Sequence, residues 1–306
     1  MLPIKIELPP NFLDEEIRDG YVVTSQMKKV WAVQLDLLSE LQRVCKKYGL
    51  SYYADSGTLL GAVRHGGYIP WDDDIDVSMM REDYEKLKKV AVKEFSDPYL
   101  LQNAETDHFY KGFCRLRNTR TTAIIKNDIG KSYCKGIFLD LFVMDNLPDD
   151  EIERKKWVRN IKRHYRFLRT VIYQQNVNSF WKRMLITTIG TFYRSDEKQL
   201  AAYYRYEKLC RKYNGIPTKQ ICFIAHARGR ANRYWDAASY SSTELVPFEF
   251  LTIAIPTGYD ARLRTQYGED YMTPRKAPNG HGETVFDPET PFTQYFVDED
   301  NHEATT

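Results

Sequence analysis

The 306-residue chain is long enough for one large domain, or for a catalytic domain with an added helical part. Its 44 basic and 42 acidic residues leave a net charge of only +2, so overall charge indicates no class of partner. The five cysteines are odd in number and form no Cys-x-x-Cys pair, which argues against a disulfide framework and a zinc ribbon. The N-terminal residues do not resemble a signal peptide, and the longest apolar run is too short to span a bilayer, so we expect a cytoplasmic protein.

Apolar residues with helical spacing predict a first helix over residues 26–48, ended by Gly49. The same criteria predict further elements in chain order: a short strand over residues 50–57, a short helix over 58–67, a strand over 74–79, a helix over 81–95, strands over 112–125 and 133–145, and mostly helical chain over 151–212. From Pro247 onward, short strands and turns alternate with one helix. This mixture of strands and helices along one chain favours an α+β fold.

Carboxylates are concentrated at residues 72–76, in the sequence DDDID. If this stretch is a strand, Asp72, Asp74 and Asp76 share one face, and Asp73 is left exposed on the other. Three carboxylates on one face repel unless a cation lies among them, and Mg²⁺ favours a few carboxylates together with phosphate oxygens. The alternatives are an acidic loop that faces water, or an EF-hand. The EF-hand is excluded because Val77 stands where that loop requires glycine.

Two further features flank the carboxylates. Upstream, the Ser56-Gly57 turn leads into a helix, where backbone N–H groups and the helix dipole favour a phosphate. Downstream, Asp140 lies in the apolar stretch FLDLF, and a carboxylate there is costly to bury unless it is paired or binds a metal. The order of turn, helix, Asp-x-Asp strand and later aspartate therefore predicts one metal and phosphate site.

The segment GTLLGAVRHGGYIPWDDDIDVSMMREDY, residues Gly57–Tyr84, resembles the signature of the LicD family. This family includes bacterial phosphocholine transferases and, more distantly, fukutin-related proteins, within the nucleotidyltransferase superfamily typified by DNA polymerase beta. Gly136–Pro148 and Pro247–Pro274 are similar to later segments of the family. The resemblance implies a mixed nucleotidyltransferase sheet flanked by helices. The expected division is a catalytic core over residues 1–150, a basic helical region over 151–245, and a C-terminal catalytic part with an acidic tail over 246–306.

The resemblance also implies the metal ligands. Asp74, Asp76 and Asp140 would be the catalytic carboxylates and would hold Mg²⁺ or Mn²⁺, with Asp72 as a weaker fourth candidate. Asp140 would in addition help to deprotonate an acceptor hydroxyl.

The phosphate contacts implied by the resemblance lie on either side of these ligands. Ser56 and Gly57 would bind the phosphates of the donor, and Arg64 and Arg117 would neutralise its pyrophosphate, because a guanidinium fits phosphate oxygens. The alternative for each arginine is a surface ion pair. Three more residues have less certain roles: we expect His65 to cap the short helix and Glu249 to order a turn, and the role of His281 stays open.

Members of the LicD family typically use a CDP-activated alcohol as donor. The resemblance thus implies transfer of a phospho-alcohol group, such as phosphocholine, to a hydroxyl of a cell-surface glycan or its lipid-linked precursor, with release of CMP. Ribitol and glycerol phosphates are equally compatible with the sequence. Two other functions stay open: a nucleotidyltransferase that uses a nucleoside triphosphate on a small molecule, and a non-enzymatic scaffold that binds nucleic acid or a membrane.

A basic stretch follows the catalytic segments. From Arg154 to Ser195 there are eleven lysines and arginines and no acidic residue. Helical spacing places basic residues on one face of this stretch (Arg159, Lys162, Arg163 and Arg166) and apolar residues on another (Trp157, Ile161, Leu168 and Ile172). Such a pattern predicts peripheral contact of residues 154–194 with the inner membrane face. The alternative is that the apolar face packs on the protein and the basic face is solvated or binds an anionic substrate. No nucleic-acid motif accompanies the charge, so no nucleic acid is expected.

Overall fold

The computed structural model describes residues 1–172, 180–224, 233–276 and 284–295. Over these residues, helices flank a mixed sheet, which confirms the predicted α+β class. The chain begins with a small hairpin of β1 (Glu16–Arg18) and β2 (Tyr21–Val23), and the long helix α1 (Ser25–Tyr48) follows. Helix α1 ends at Gly49 as predicted, because that residue has a left-handed φ of 62° that glycine adopts without strain.

The main sheet is built around the long central strand β8 (Ile137–Asn146). Its other strands are β3 (Tyr53–Ala54), β4 (Asp76–Met80), β5 (Tyr99–Gln102), β6 (Cys114–Asn118), β9 (Gln220–Cys222) and β10 (Trp235–Asp236). On one side of β8, β4 runs parallel and β3 lies antiparallel beyond it. On the other side, β6 pairs antiparallel with the first half of β8 and β9 pairs with its end. Strands β5 and β10 extend β6 and β9.

Helices and smaller sheets cover this sheet. Helix α2 (Ser56–His65) connects β3 to the loop before β4, and α3 (Arg81–Glu94) follows β4. The remaining elements outside the helical part are α4 (Ala104–Asp107), the pair β7 (Thr122–Ile125) and β13 (Thr284–Asp287), the hairpin β11 (Thr243–Phe248) and β12 (Leu251–Pro256), and α8 (Tyr259–Tyr267). The main core lies between α1 and the sheet, where Leu35, Leu38 and Leu141 are fully buried.

The region after β8 is largely helical, as predicted. It contains α5 (Glu151–Val171), α6 (Phe180–Phe192) and α7 (Asp196–Cys210). The apolar face of α5 is covered by the protein itself: Trp157, Ile161 and Leu168 are buried in a cluster that includes Tyr203 and Tyr206 of α7. In the described part of the chain, no helix combines the length and apolar character needed to cross a bilayer.

Two predicted strands have different boundaries in the structure. The stretch 112–125 forms two strands, β6 and β7, which belong to different sheets. A turn separates them, in which Asn118 accepts a hydrogen bond from the backbone of Arg120 and Thr121 donates its hydroxyl hydrogen to the carbonyl of Asn118. The predicted strand over 74–79 begins only at Asp76. The preceding carboxylates therefore lie on a loop.

Candidate metal and phosphate site

Three of the predicted carboxylates meet where β4 begins to pair with β8. Asp76 is the first residue of β4, and the register places it opposite Asp140 of β8. Oxygen atoms of Asp74, Asp76 and Asp140 all lie within 4.8 Å of one another. Asp140 is only 3% exposed, whereas Asp74 and Asp76 are partly exposed, so the cluster opens to solvent on one side. The fold thus brings two distant segments of the sequence together in one compact group of carboxylates.

The loop before β4 differs from the predicted strand. Because β4 begins at Asp76, strand alternation does not place Asp72 and Asp74 on its face. Asp73 was expected to be exposed, and this was wrong, since the residue is only 3% exposed. Oxygen atoms of Asp72, Asp73 and Asp74 also lie within 4.8 Å of one another, so the loop brings a second group of carboxylates beside the first.

Side chains of helix α1 donate hydrogen bonds to the backbone of this acidic loop. The indole nitrogen of Trp31 donates to the carbonyl of Asp72 at 3.1 Å, and the amide of Gln34 donates to the carbonyl of Asp73 at 2.7 Å. Tyr68 supports both side chains: its ring stacks on Trp31 with centroids 4.3 Å apart, and its hydroxyl donates to Gln34 at 3.0 Å. The fully buried Gln34 was not singled out from the sequence, although a polar residue on the apolar face of α1 was a usable signal.

The Ser56-Gly57 turn lies against the carboxylates. Asp55 caps α2, and Ser56 has a left-handed φ of 47°, a strained conformation for a residue with a side chain. A Cβ atom on Gly57 would lie 2.4 Å from an oxygen of Asp72, so only glycine leaves room for that carboxylate. The hydroxyl of Thr58 accepts a hydrogen bond from the backbone N–H of Asp76 at 2.8 Å. The first turn of α2 and the start of β4 are thus held together.

Asp55 has a further partner that the sequence did not reveal. Arg262 of α8 is 2% exposed and donates to the Asp55 carboxylate and, at 2.9 Å, to the hydroxyl of Tyr240. Its guanidinium lies 3.4 Å from the ring centroid of Trp235. Asp55, Ser56, Trp235 and Arg262 line a small cavity next to the turn. The C-terminal part of the chain therefore orders the entry to α2.

Asp140 is paired with a buried arginine. The Nε of Arg115 donates to Asp140 Oδ1 at 2.5 Å, because β6 places the two residues opposite each other. Arg115 also lies 3.6 Å from Asp128, and Asp128 accepts a hydrogen bond from Lys111 at 2.6 Å. Burial, together with the nearby charge of Arg115, lowers the pKa of Lys111 to about 8. Burial alone would raise the pKa of Asp128, but Lys111 and Arg115 hold it below its usual value.

The two arginines expected at the pyrophosphate have partners elsewhere. Arg64 donates to the carbonyl of Tyr271 at 2.9 Å, and burial lowers its pKa. Arg117 is fully buried and donates to Gln102 at 2.6 Å and to the carbonyl of Gly136 at 2.5 Å. Burial and the neighbouring Arg115 lower the pKa of Arg117 to about 10. The structure thus pairs Arg115 with Asp140, and the phosphate role of Arg64 and Arg117 stays a prediction.

Glu249 and His65 make contacts that support the local structure. Glu249 forms two hydrogen bonds with Arg18, at 2.5 and 2.8 Å, and accepts one from the backbone of Tyr68 at 3.0 Å. These contacts are those of a residue that orders a turn. His65, the last residue of α2, lies 3.0 Å from Asp19. His281 lies outside the described residues.

A scan of family models finds the domain described as LicD/FKTN/FKRP, nucleotidyltransferase domain, over residues 49–185. This range contains α2, the acidic loop, β4 and β8. Residues 49–185 thus match a LicD-family domain. The lipopolysaccharide cholinephosphotransferase LicD of Haemophilus influenzae is 29% identical over 254 residues, which cover 78% of this chain and 89% of that protein.

Two other relatives share shorter segments. An uncharacterized protein of Rickettsia prowazekii is 30% identical over 113 residues, which cover 37% of this chain and 39% of that protein. The human ribitol 5-phosphate transferase FKRP is 48% identical over 40 residues, or 13% of this chain and 8% of that protein. The domain match and these relatives confirm the resemblance seen in the sequence, and they support a phosphotransferase as the class of enzyme.

Proposed function

We propose that this protein is a metal-dependent phosphotransferase that moves a phospho-alcohol group, with phosphocholine as the first candidate, from a CDP-activated donor to a glycan hydroxyl, and releases CMP. We also propose that its mixed sheet is of the nucleotidyltransferase type typified by DNA polymerase beta. The observation that carries the proposal is the convergence of Asp74, Asp76 and Asp140 beside the Ser56-Gly57 turn. The choice of phosphocholine comes from the Haemophilus influenzae relative.

The carboxylates fit a hard divalent cation. All three side chains offer oxygen atoms, which Mg²⁺ and Mn²⁺ prefer, and the oxygens of one Mg²⁺ shell lie at most about 4 Å apart. The observed separations within 4.8 Å therefore need only a small adjustment. When bound, such an ion supplies positive charge against phosphate oxygens and against the attacking and leaving oxygens.

The remaining residues of the site would position the substrates. The first turn of α2, which lies beside Asp72, would offer backbone N–H groups to the donor phosphates. Arg115 supplies a positive charge to Asp140 from the protein side, so this carboxylate is held in one orientation. Asp140 is then placed to accept the proton of the acceptor hydroxyl, as the family resemblance implies. Trp31 and Gln34 keep the acidic loop in place through its carbonyls.

Replacement of the carboxylates tests the proposal. Each of the variants Asp74→Asn, Asp76→Asn and Asp140→Asn nearly keeps the shape of the side chain but removes a negative charge. We expect each to lower turnover of CDP-choline by at least about a hundredfold, because metal and phosphates are no longer held. The exposed Asp14 provides a matched control, since Asp14→Asn should leave turnover unchanged.

The readout must separate catalysis from folding. Circular dichroism and thermal unfolding should show native spectra for Asp74→Asn and Asp76→Asn. Asp140→Asn should also lose some stability, because Arg115 is buried and loses one of its two carboxylate partners. A folded Asp76→Asn variant with wild-type turnover would contradict the proposal.

A further inference from the structure

A basic groove lies beside α5, outside the carboxylate site. Four cationic residues of α5 line it, together with Gln220 of β9 and Tyr234, the residue before β10: Arg154, Lys155, Arg159 and Lys162. Its volume is about 520 Å³, which lies within the range of small-molecule sites. The groove is thus a concave surface between a helix and the edge of the main sheet.

The positive charge in the groove is only partly compensated. Lys155 pairs with Glu151 at 2.5 Å, and Glu151 is the one carboxylate among the lining residues. In the part of the chain that the structure describes, no ion pair involves Arg159 or Lys162, and both residues are exposed. Four cations and one carboxylate leave the groove with a net charge of +3. An anion is the ligand that such a surface attracts.

Packing does not explain these cations. The opposite, apolar face of α5 already anchors the helix through Trp157, Ile161 and Leu168. On the outer face, Lys155 and Arg159 are four residues apart, and Arg159 and Lys162 three apart, so they repel each other along the helix. The repulsion slightly destabilises the helix, and a bound anion would relieve it.

The groove and the cavity at the Ser56-Gly57 turn are lined by consecutive residues of the chain. Tyr234 lines the groove, whereas the following residue, Trp235, packs under Arg262. Arg262 in turn binds Asp55, which caps α2 just before Gly57. One short segment of chain thus contributes to both the groove and the cavity at the Ser56-Gly57 turn.

We infer that this groove binds the anionic part of the acceptor, a glycan that carries phosphate or carboxylate groups. The inference rests on the proposed function only in that the acceptor is a glycan. Guanidinium and ammonium groups supply charged hydrogen bonds to such anionic oxygens. The guanidinium of Arg154 lies over the ring of Tyr234, 5.8 Å from its centroid, and donates to Gln220 Oε1 at 3.2 Å, so these two residues hold one of the cations at the groove.

Binding of a model oligosaccharide tests the inference without donor or metal. A fluorescently labelled sulfated tetrasaccharide and neutral maltotetraose are titrated against the whole chain in EDTA, at low and high salt. We expect the sulfated probe alone to bind, with an affinity that falls as salt increases. The double variant Arg159→Glu/Lys162→Glu should weaken this binding by about tenfold or more.

A second double variant on the same helix is the matched control. Arg163 and Arg166 have the same spacing and are exposed, but they do not line the groove. Arg163→Glu/Arg166→Glu should weaken binding by less than about twofold, since more distant exposed charges are screened. Equal losses in the two variants would overturn the inference, because they would mean that the whole basic face attracts anions. Equal binding of maltotetraose would overturn it as well.

Turnover measurements separate this inference from the proposed function. With lipopolysaccharide as acceptor, Arg159→Glu/Lys162→Glu should raise the acceptor KM and leave the KM for CDP-choline unchanged. A variant damaged only in its fold would change both constants or lower kcat alone. Absence of turnover in the wild-type protein would count against the proposed function, while the binding of the sulfated probe would still decide the role of the groove.

Discussion

At the scale of single residues, the close approach of Gly57 to Asp72 leaves no room for a side chain at position 57. Any side chain at Gly57 would lie 2.4 Å from the Asp72 carboxylate and would force it to move. We expect Gly57→Ala to lower kcat by about a hundredfold, since a displacement of about 1 Å can have that effect. Thermal unfolding should change little, because the site opens to solvent. Wild-type kcat in a folded Gly57→Ala variant would show that this contact has no catalytic importance.

Lys111 makes stability depend on pH in a defined direction. Its pKa is about 8 in the folded protein and near 10.5 in the unfolded chain, so between these values the unfolded chain binds more protons. The free energy of unfolding therefore rises with pH across this window, relative to Lys111→Met, which has no such group. Thermal unfolding of both proteins at pH 7.5 and pH 10 measures the difference. The assignment would be contradicted if the free energy of unfolding of the wild type minus that of Lys111→Met were equal at the two pH values or lower at pH 10.

The residues of the site differ in how far the sequence could predict them. Asp74, Asp76 and Asp140 could be found because carboxylates in or next to apolar strands need a compensating cation. Arg115 could not, although Arg117 two residues later was considered. Both side chains lie on the same face of β6, and only the pairing register shows that Arg115 is the one opposite Asp140.

At the scale of elements, the two features expected of a membrane-surface helix lie on different helices. The basic face is on α5, and the exposed apolar residues are on α6. The apolar face of α5 is buried, so it cannot insert into a bilayer. Helix α6 instead exposes large apolar side chains: Trp181 is 77% exposed, Met184 51% and Phe192 65%. We therefore expect α6 to make the peripheral membrane contact predicted for residues 154–194.

Vesicle co-sedimentation tests this contact. Vesicles with anionic lipids should bind the protein at low salt and release it at high salt. Trp181→Ser/Met184→Ser should weaken binding, because apolar area no longer enters the interface. Val92 and Ile216 are exposed apolar residues outside α5 and α6, so Val92→Ser/Ile216→Ser is the matched control. Failure of the wild-type protein to bind anionic vesicles at low salt would refute the prediction.

The predicted boundaries of an element are correct where a residue at the boundary itself determines them. Gly49 and Gly66 end α1 and α2, because each adopts a left-handed φ. The start of β4 and the break between β6 and β7 depend instead on contacts with distant residues. Trp31 and Gln34 hold the backbone before β4, and the sequence around β4 itself does not indicate these contacts.

At the scale of the whole molecule, the site is assembled from widely separated parts of the chain. The carboxylates come from the loop before β4, from β4 and from β8, the supporting hydrogen bonds from α1, and the partner of Asp55 from α8. The predicted division at residues 150 and 245 stays a prediction. Residues 151–245 were expected to form a helical region, but they also contribute β9 and β10 to the main sheet.

The identity of the leaving group tests the central claim most directly. The protein is incubated with Mg²⁺, CDP-choline and lipopolysaccharide, and in parallel with CTP or ATP, and the phosphorus products are quantified by NMR. We predict one CMP released for each phosphocholine transferred, no pyrophosphate from either triphosphate, and no products in EDTA or with Asp76→Asn. Release of pyrophosphate, or release of CMP that persists in EDTA and in the Asp76→Asn variant, would contradict the assignment of a metal-dependent CDP-alcohol phosphotransferase.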